Sequence, residues 1–218
     1  MVTVHHLSNS HSHVILWLME ELGLDYEIVP HQRDPKTGRS PESLRQIHPA
    51  AKAPTIVDRG VTMIESTGII LYLLESYGAG RLRPAPGTPD AMGFFQWLTF
   101  MEGSLKASIL QFLSVLRSVA PEARQAAADS AAAELIAAKP ISLVEAGLEG
   151  QDTIVPGMFT AADLQLAFEE ELIEAVGQID RLPNMRAHLA RMRERPAYQR
   201  AEAKGGPVGL VQMFNRPR

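Results

Sequence analysis

The chain has 218 residues, 21 basic against 25 acidic side chains for a formal net charge of −4, and no cysteine. Without cysteine there is no disulfide, thiolate zinc site, iron–sulfur cluster or cysteine nucleophile, and a slightly acidic chain lacks the basic footprint of nucleic-acid binding. Apolar runs such as Gly68–Leu74 fall far short of the roughly 20 residues of a membrane span, and Met1–Leu7 lacks a signal-peptide pattern, so the expectation is a soluble cytoplasmic protein with no membrane and no nucleic-acid partner.

Val2–Leu7 (VTVHHL) is a β-branched run that predicts a strand. Val14–Leu24 predicts a helix closed by Gly23, apolar on most sides and interrupted only by Glu20 and Glu21. Such a helix is covered on both sides. Tyr26–Val29 reads as a second strand. Ser40 and Pro41 read as N-cap and first residue of a short helix to about Ile47. Pro54–Asp58 and Val61–Glu65, joined by Arg59-Gly60, predict a β-hairpin. Ile69, Ile70, Leu73, Leu74 and Tyr77 recur at helical spacing before Gly78. The order β-α-β-α-β-β-α is an α/β layer on a mixed sheet.

Gly78–Pro89 (GAGRLRPAPGTP) is the sharpest shift in composition and marks a boundary. The expected organisation is a domain over 1–79, a linker over 80–89 and an all-helical domain over 90–218. Met92–Val119 predicts one long helix, and Glu122–Ala138 an Ala-rich one ended or kinked at Pro140. Thr160 followed by Asp163 has the form of a capping box before Leu164 and Phe168. Asn184–Arg193 and Ala197–Lys204 predict short helices, and Gly205-Gly206-Pro207 leaves a tail, Val208–Arg218.

Ser10 lies between the first strand and the first helix, where free backbone N–H groups and the positive dipole end stabilise an anion. Plain capping by Ser10 or Ser12 is the competing reading. Ser66 opens the third helix, and its N–H and hydroxyl suit a carboxylate. Ala53 precedes Pro54 at a strand start, and Lys52 offers a cation. His5, His6, His11 and His13 crowd into nine residues. His5 and His6 point to opposite sides of a strand, and His11 and His13 do not share a helix face. No metal site is expected from them, since ligands must converge.

Taken together and in this order, six stretches resemble a known family. They are Asn9–Leu22, His48–Val57, Glu65-Ser66 with the helix after it, Glu102–Leu105, Phe159–Leu164 and Arg195–Pro207. The chain resembles a cytosolic glutathione S-transferase, most of all the bacterial and fungal branch with an active-site serine. The resemblance implies a thioredoxin-like N-terminal domain followed by an all-α domain, glutathione as co-substrate, a homodimer and an electrophilic, apolar second substrate. It also implies roles by position. Ser10 donates a hydrogen bond to the glutathione sulfur. Ala53, before the family's cis-proline at Pro54, holds the cysteinyl backbone. Glu65 and Ser66 hold the γ-glutamyl group, and Lys52 with His48 faces the glycine carboxylate. His11, Trp97, Phe100, Met101, Ser104 and Ser108 form the second-substrate side; among these Trp97, Met101, Ser104 and Ser108 share helical spacing, which equally suits a core. Four positions depart from the family pattern: His11 and Val14 stand where arginine is common, Ala51 where glycine is usual, and Phe100 where tyrosine is usual. The function implied is transfer of glutathione to an electrophile. The alternatives are a glutathione-dependent peroxidase or ether-cleaving enzyme, and a non-catalytic glutathione-binding or protein-interaction member.

Overall fold

The computed structural model describes residues 1–34 and 38–208. The tail from residue 209 onward lies outside them. The described residues divide into two compact units: 1–82 together with 193–208, and 83–192.

In the first unit, β1 (Val2–Leu7), β2 (Tyr26–His31), β3 (Thr55–Asp58) and β4 (Val61–Ile64) form one mixed sheet in the order β2-β1-β3-β4. β1 runs parallel to β2 and antiparallel to β3, and β3 antiparallel to β4. This is the thioredoxin-like arrangement. β2 extends two residues past the predicted end and includes Pro30. It is an edge strand, where a missing backbone donor is tolerated. The β3–β4 turn uses Arg59 (φ 50°) and Gly60 (φ 78°), the positive-φ pair of a tight hairpin turn.

α1 (Ser12–Leu22) is buried along nearly its whole length, as its all-round apolarity predicts. It ends at Gly23 with φ 60°, whose N–H reaches Glu20 O while Leu24 N–H reaches Met19 O. That left-handed cap is the one glycine adopts without strain. α2 (Glu42–Ile47) starts later than predicted. Pro41, not Ser40, is the N-cap; its extended backbone (ψ 161°) keeps it out of the first turn. α3 (Ser66–Tyr77) follows β4 directly. The two faces of β1 are covered differently. Leu7 packs with Leu44 of α2 and Ala51, while His6 on the opposite face meets α1.

In the second unit, α4 (Pro89–Phe100) and α5 (Lys106–Ser118) are separated by a π-helical stretch, Met101–Leu105. The apolar period predicts one unbroken helix here. A π stretch keeps the hydrogen-bond ladder going while inserting an extra residue in the turn, so the period alone does not reveal it. Pro140 does not end a helix; it sits in the first turn of α7 (Lys139–Gly147), where its missing N–H leaves nothing unpaired. The sequence reading assigned no helix there. α6 (Arg124–Ala137) precedes it. α8 (Ala161–Ala175) carries the predicted capping box, with Thr160 and Asp163 satisfying each other's backbone donors. Its side chains are buried almost throughout. α9 (Pro183–Arg193) closes this unit.

α10 (Pro196–Gly205) groups with the first unit, although the sequence places it in the helical domain 90–218. The reason lies in the two acidic breaks of α1. Glu20 accepts from Arg200, Lys204 and Tyr26, and Glu21 from Arg195 and Trp17. Tyr198 stacks edge-on against Trp17 at 5.1 Å.

Candidate functional site

Strand register alone assembles one end of the first unit. His5 of β1 lies opposite Thr55 of β3, and Thr55 opposite Ile64 of β4. The segment leaving β1 (8–11), the segment entering β3 (52–54) and the segment leaving β4 (65–66) therefore emerge at the same end of the sheet. Ser10, Lys52, Ala53, Pro54, Glu65 and Ser66 are brought to that end together.

Ser10 precedes α1, whose N-cap is His11 (φ −56°, ψ −8°) with no side-chain cap. Glu65 is the N-cap of α3, likewise without a side-chain cap, and holds φ 77°. Two helix N-termini thus flank the same end of the sheet, that of α1 with Ser10 Oγ accepting the Ser12 N–H at 3.2 Å, and such ends favour anions. The Ala53-Pro54 peptide is cis. Lys52 Nζ stands 3.9 Å from Glu65 Oε1, both well exposed. Thr55 Oγ1 donates to Lys52 O at 2.7 Å, which ties down the backbone before Ala53. His48 caps the C-terminal end of α2, and its Nδ1 accepts the Ala50 N–H at 3.2 Å. Ala51, at the usual glycine position, holds φ 48°.

The predicted second-substrate residues on the second unit do not behave alike. Met101 is fully buried in the stripe of core residues that includes Phe94, Leu98, Leu105 and Ile109. Trp97, Phe100, Ser104 and Ser108 are half-buried beside that stripe. Trp97 meets Phe100 edge-on at 5.5 Å, and Gly147 leaves room for its ring, since a Cβ there would come within 3.1 Å of it. Met101 is thus a core residue and the other four form a flank. Helical spacing puts Trp97, Met101, Ser104 and Ser108 on one face with Phe100 beside it, but Met101 also falls three and four residues from the buried Leu98 and Leu105. His11, predicted with them, belongs to the first unit and is buried.

The histidine cluster divides into separate contacts. His5 Nδ1 pairs with His31 Nε2 at 3.0 Å, and His31 Nδ1 with Ser43 Oγ at 2.8 Å. His6 Nδ1 pairs with Ser12 Oγ at 2.9 Å. His13 packs against the Tyr198 ring. Among the described residues no three His, Cys, Asp or Glu side chains converge on a metal position. Burial lowers the affinity of His5, His6 and His31 for a proton, and the His31 charge adds to this at His5 and His6.

Two groups near Ser10 escape the sequence reading. Arg33 donates to Ser8 O and Asn9 O, at 3.4 and 3.1 Å. It brings a guanidinium to the loop where positions 11 and 14 lack one. Nothing in the local pattern marks it. From the sequence Ser12 reads only as a cap, yet its hydroxyl lies 2.8 Å from Ser10 Oγ. The Ser-x-Ser spacing after a strand was its signal.

Residues 5–83 match the family model described as glutathione S-transferase, N-terminal domain. A curated relative, Glutathione S-transferase 3 of Schizosaccharomyces pombe, is 37% identical over 105 residues, covering 48% of this chain and 43% of that protein. The chain thus aligns with less than half the length of that relative. A solved glutathione S-transferase from Actinobacillus pleuropneumoniae is 31% identical with a TM-score of 0.83, covering 97% of this chain and 96% of that one. A sphingomonad glutathione S-transferase complexed with glutathione shares the fold at a TM-score of 0.72 and 22% identity, over 94% of this chain and 98% of that one. With the mixed sheet, the cis Ala53-Pro54 peptide, the capped α8 and a near full-length match, the chain belongs to the glutathione S-transferase family.

Proposed function

We propose that the protein is a glutathione transferase of the serine type, binding glutathione at the end of the sheet where Ser10, Ala53-Pro54 and Glu65-Ser66 meet. The observation that carries this is the convergence of a hydroxyl, two helix N-termini and an extended backbone edge on one side of the first unit. Each suits one part of the tripeptide. The α1 terminus and Ser10 suit the sulfur, the backbone before Pro54 the cysteinyl amide, Ser66 and the α3 terminus the γ-glutamyl carboxylate, and Lys52 with His48 the glycine carboxylate.

A free cysteine thiol has a pKa near 8.5, so only a few per cent is thiolate at neutral pH. Lowering it by about two units requires roughly 2.7 kcal/mol of differential stabilisation. One charge-assisted hydrogen bond plus helix-terminus N–H groups is of that size. The thiolate then attacks an electrophilic carbon or displaces a leaving group. Trp97, Phe100, Ser104 and Ser108 on the second unit are the proposed receptors of an apolar electrophile. Exposed Met92 and Phe95, three residues apart on α4, fit a homodimer contact. Absence of cysteine fits a reducing, cytoplasmic setting.

The test is the near-ultraviolet thiolate absorbance of bound glutathione against pH, in the parent and in Ser10→Ala. A bound pKa well below 8.5 that returns toward it in the variant, with turnover falling about 30- to 100-fold for the loss of one charge-assisted bond, supports the reading. A bound thiol that keeps its free value sinks it. A second reading has an observation behind it. Ser10 Oγ donates inward to Leu7 O at 2.7 Å, which suits a member that binds glutathione without activating it. Turnover screened across halo-aromatics, peroxides, disulfides and aryl ethers separates the two and names the substrate class.

A further inference from the structure

The inference concerns how Ser10 comes to face sulfur as a donor, and it rests on the proposed glutathione site. Three buried polar side chains form a continuous hydrogen-bonded line. Ser10 Oγ lies 2.8 Å from Ser12 Oγ, Ser12 Oγ lies 2.9 Å from His6 Nδ1, and His6 Nε2 lies 2.9 Å from Gly205 O. Ser12 is fully buried and His6 nearly so, while Ser10, at 9% exposed, is the most open of the three. Gly205 is there by close approach: a Cβ on it would stand 2.5 Å from Leu16 Cδ1 and 3.2 Å from His6 Nε2. Only glycine lets the end of α10 reach the imidazole.

The direction of the line follows from its acceptor end. A carbonyl only accepts, so His6 Nε2 carries a proton toward Gly205 O. In the neutral ring Nδ1 is then a bare acceptor, and it takes the Ser12 hydroxyl proton. Ser12 Oγ already accepts the Leu7 N–H at 3.1 Å. Leu7 O, 2.7 Å from Ser10 Oγ and 3.1 Å from Ser12 Oγ, is a second inward acceptor, and the single Ser10 proton is shared between it and the remaining lone pair of Ser12 Oγ, 2.8 Å away. Ser10 Oγ accepts the Ser12 N–H at 3.2 Å and has one lone pair left. At rest, Ser10 therefore presents an acceptor, not a donor, to an arriving thiol.

We infer that Ser10, Ser12 and His6 form a proton relay in which His6, a positioning residue acting through the two hydroxyls, takes up the equivalent of the glutathione thiol proton. The S–H bond breaks and its proton goes to Ser10 Oγ. The former Ser10 proton goes to Ser12 Oγ, and the former Ser12 proton to His6 Nδ1. The products are a thiolate and an imidazolium, with no proton gained or lost overall. Ser10 now carries the proton that came from sulfur and donates it back as a hydrogen bond to the thiolate. The same shift reverses Ser12, which accepts from His6 Nδ1 and donates to Ser10. Every bond in the line then points toward the negative sulfur. When the thiolate is consumed, the imidazolium returns its proton along the line to the leaving group or to water.

The surroundings of His6 keep it neutral at rest. Burial lowers its proton affinity and the His31 charge on β2 lowers it further, while the Gly205 carbonyl on α10 acts in the opposite direction. His13 on α1 also faces it electrostatically, and His5 on the same strand points to the other face of the sheet. A negative sulfur at the far end of the line supplies the charge that favours the protonated ring.

The experiment is proton release on glutathione binding, read with a pH indicator in weak buffer, alongside thiolate absorbance and the nitrogen NMR shifts of the His6 ring. In the wild type, thiolate is expected to form with little proton release, and His6 to protonate with glutathione but not with S-methyl glutathione, which has no thiol proton. His6→Asn keeps an acceptor for Ser12 but takes no proton. It and Ser12→Ala are expected to raise the bound thiol pKa by about one unit, which from about 6.5 lowers the thiolate fraction at pH 7 about threefold, with a full proton released for the thiolate that remains. Ser12→Thr restores the parent behaviour. Release of one proton per thiolate in the wild type with His6 still neutral overturns the relay and leaves the serine site standing. So does an unchanged thiolate pKa in folded Ser12→Ala. A wild type that forms no thiolate overturns the serine site and the relay together.

Discussion

α1 and α8 are both buried almost from end to end, and each is packed with a histidine, yet the two histidines are driven in opposite directions. Among the described residues, neither ring nitrogen of His13 of α1 has a hydrogen-bond partner. Burial, with a smaller effect from His6, pushes it down to about 4. His188, reaching α8 from α9, places Nδ1 2.8 Å from Glu170 Oε2 and Nε2 3.3 Å from Asp163 Oδ1. Burial lowers His188 too, but the Glu170 charge and the bonds to both carboxylates outweigh it and hold His188 at about 9. Burial sets the same penalty in both places, and the partner decides its outcome. The acidic residues differ in parallel. Glu20 and Glu21 of α1 reach outward to half-exposed cations of α10, whereas Asp163 and Glu170 of α8 are answered deep inside.

The largest test of that contrast is Asp163→Ala. Its carboxylate accepts from Ile154 N, Thr160 N, Thr160 Oγ1 and His188. Removal leaves buried donors and a buried imidazolium unanswered, at an expected cost of about 3–5 kcal/mol. Urea unfolding measures it. A loss below about 1 kcal/mol would mean the cluster is solvated and the contrast with α1 is empty.

The histidines give mirrored pH limbs. His188 has a folded value above its unfolded one, so its contribution is complete below about 6.5 and is lost as pH rises through about 9. His13 has a folded value below its unfolded one, so its contribution is complete above about 6.5 and is lost as pH falls through about 4. A displacement of roughly 2.5 units corresponds to about 3 kcal/mol on either limb. His188→Gln is expected to flatten the alkaline limb alone, and His13→Leu the acid limb alone, in unfolding midpoints taken across pH. If both variants flatten the same limb, the partners do not set the sign.

Glu20→Ala tests the outward-facing arrangement. Arg200 and Lys204 are about half exposed and find water when Glu20 is lost. The expected cost is about 1 kcal/mol, several-fold below Asp163→Ala. A cost equal to that of Asp163→Ala would place the α1 acids in the same class as the α8 cluster.

These contrasts are unevenly legible in the sequence. Strand and helix order, the Gly23 cap, the Arg59-Gly60 hairpin and the Thr160–Asp163 box are local, and local rules reach them. The gathering of Ser10, Ala53-Pro54 and Glu65-Ser66 rests on strand register and was named through family resemblance. What escaped depends on distant partners or on phase. Arg33 and Gly205 act through contacts 24 and 199 residues away in sequence. The π stretch at Met101–Leu105 leaves the apolar period intact and so leaves no mark in it. Pro140 reads the same in a helix's first turn as at a break, and only the backbone after Ala138 decides between them.

The smallest predicted effect separates the two units by backbone alone. Ala51 is buried against Leu7 and Leu44 and holds φ 48°. Ala167 is buried in the middle of α8. Replacing either by glycine removes one buried methyl, worth about 0.8 kcal/mol, and frees the unfolded chain by about 0.5–1 kcal/mol. At Ala167 both terms destabilise with nothing to set against them, and the expected loss is about 1.3–1.8 kcal/mol. At Ala51 glycine also relieves a left-handed backbone that costs an alanine about 1–2 kcal/mol. The terms nearly cancel, and Ala51→Gly is expected to unfold within about 0.5 kcal/mol of the parent. Paired urea titrations of the two variants read the difference directly. A loss at Ala51 as large as at Ala167 would show that the segment before Lys52 accepts its positive φ without strain, and that glycine is usual there for some reason other than backbone geometry.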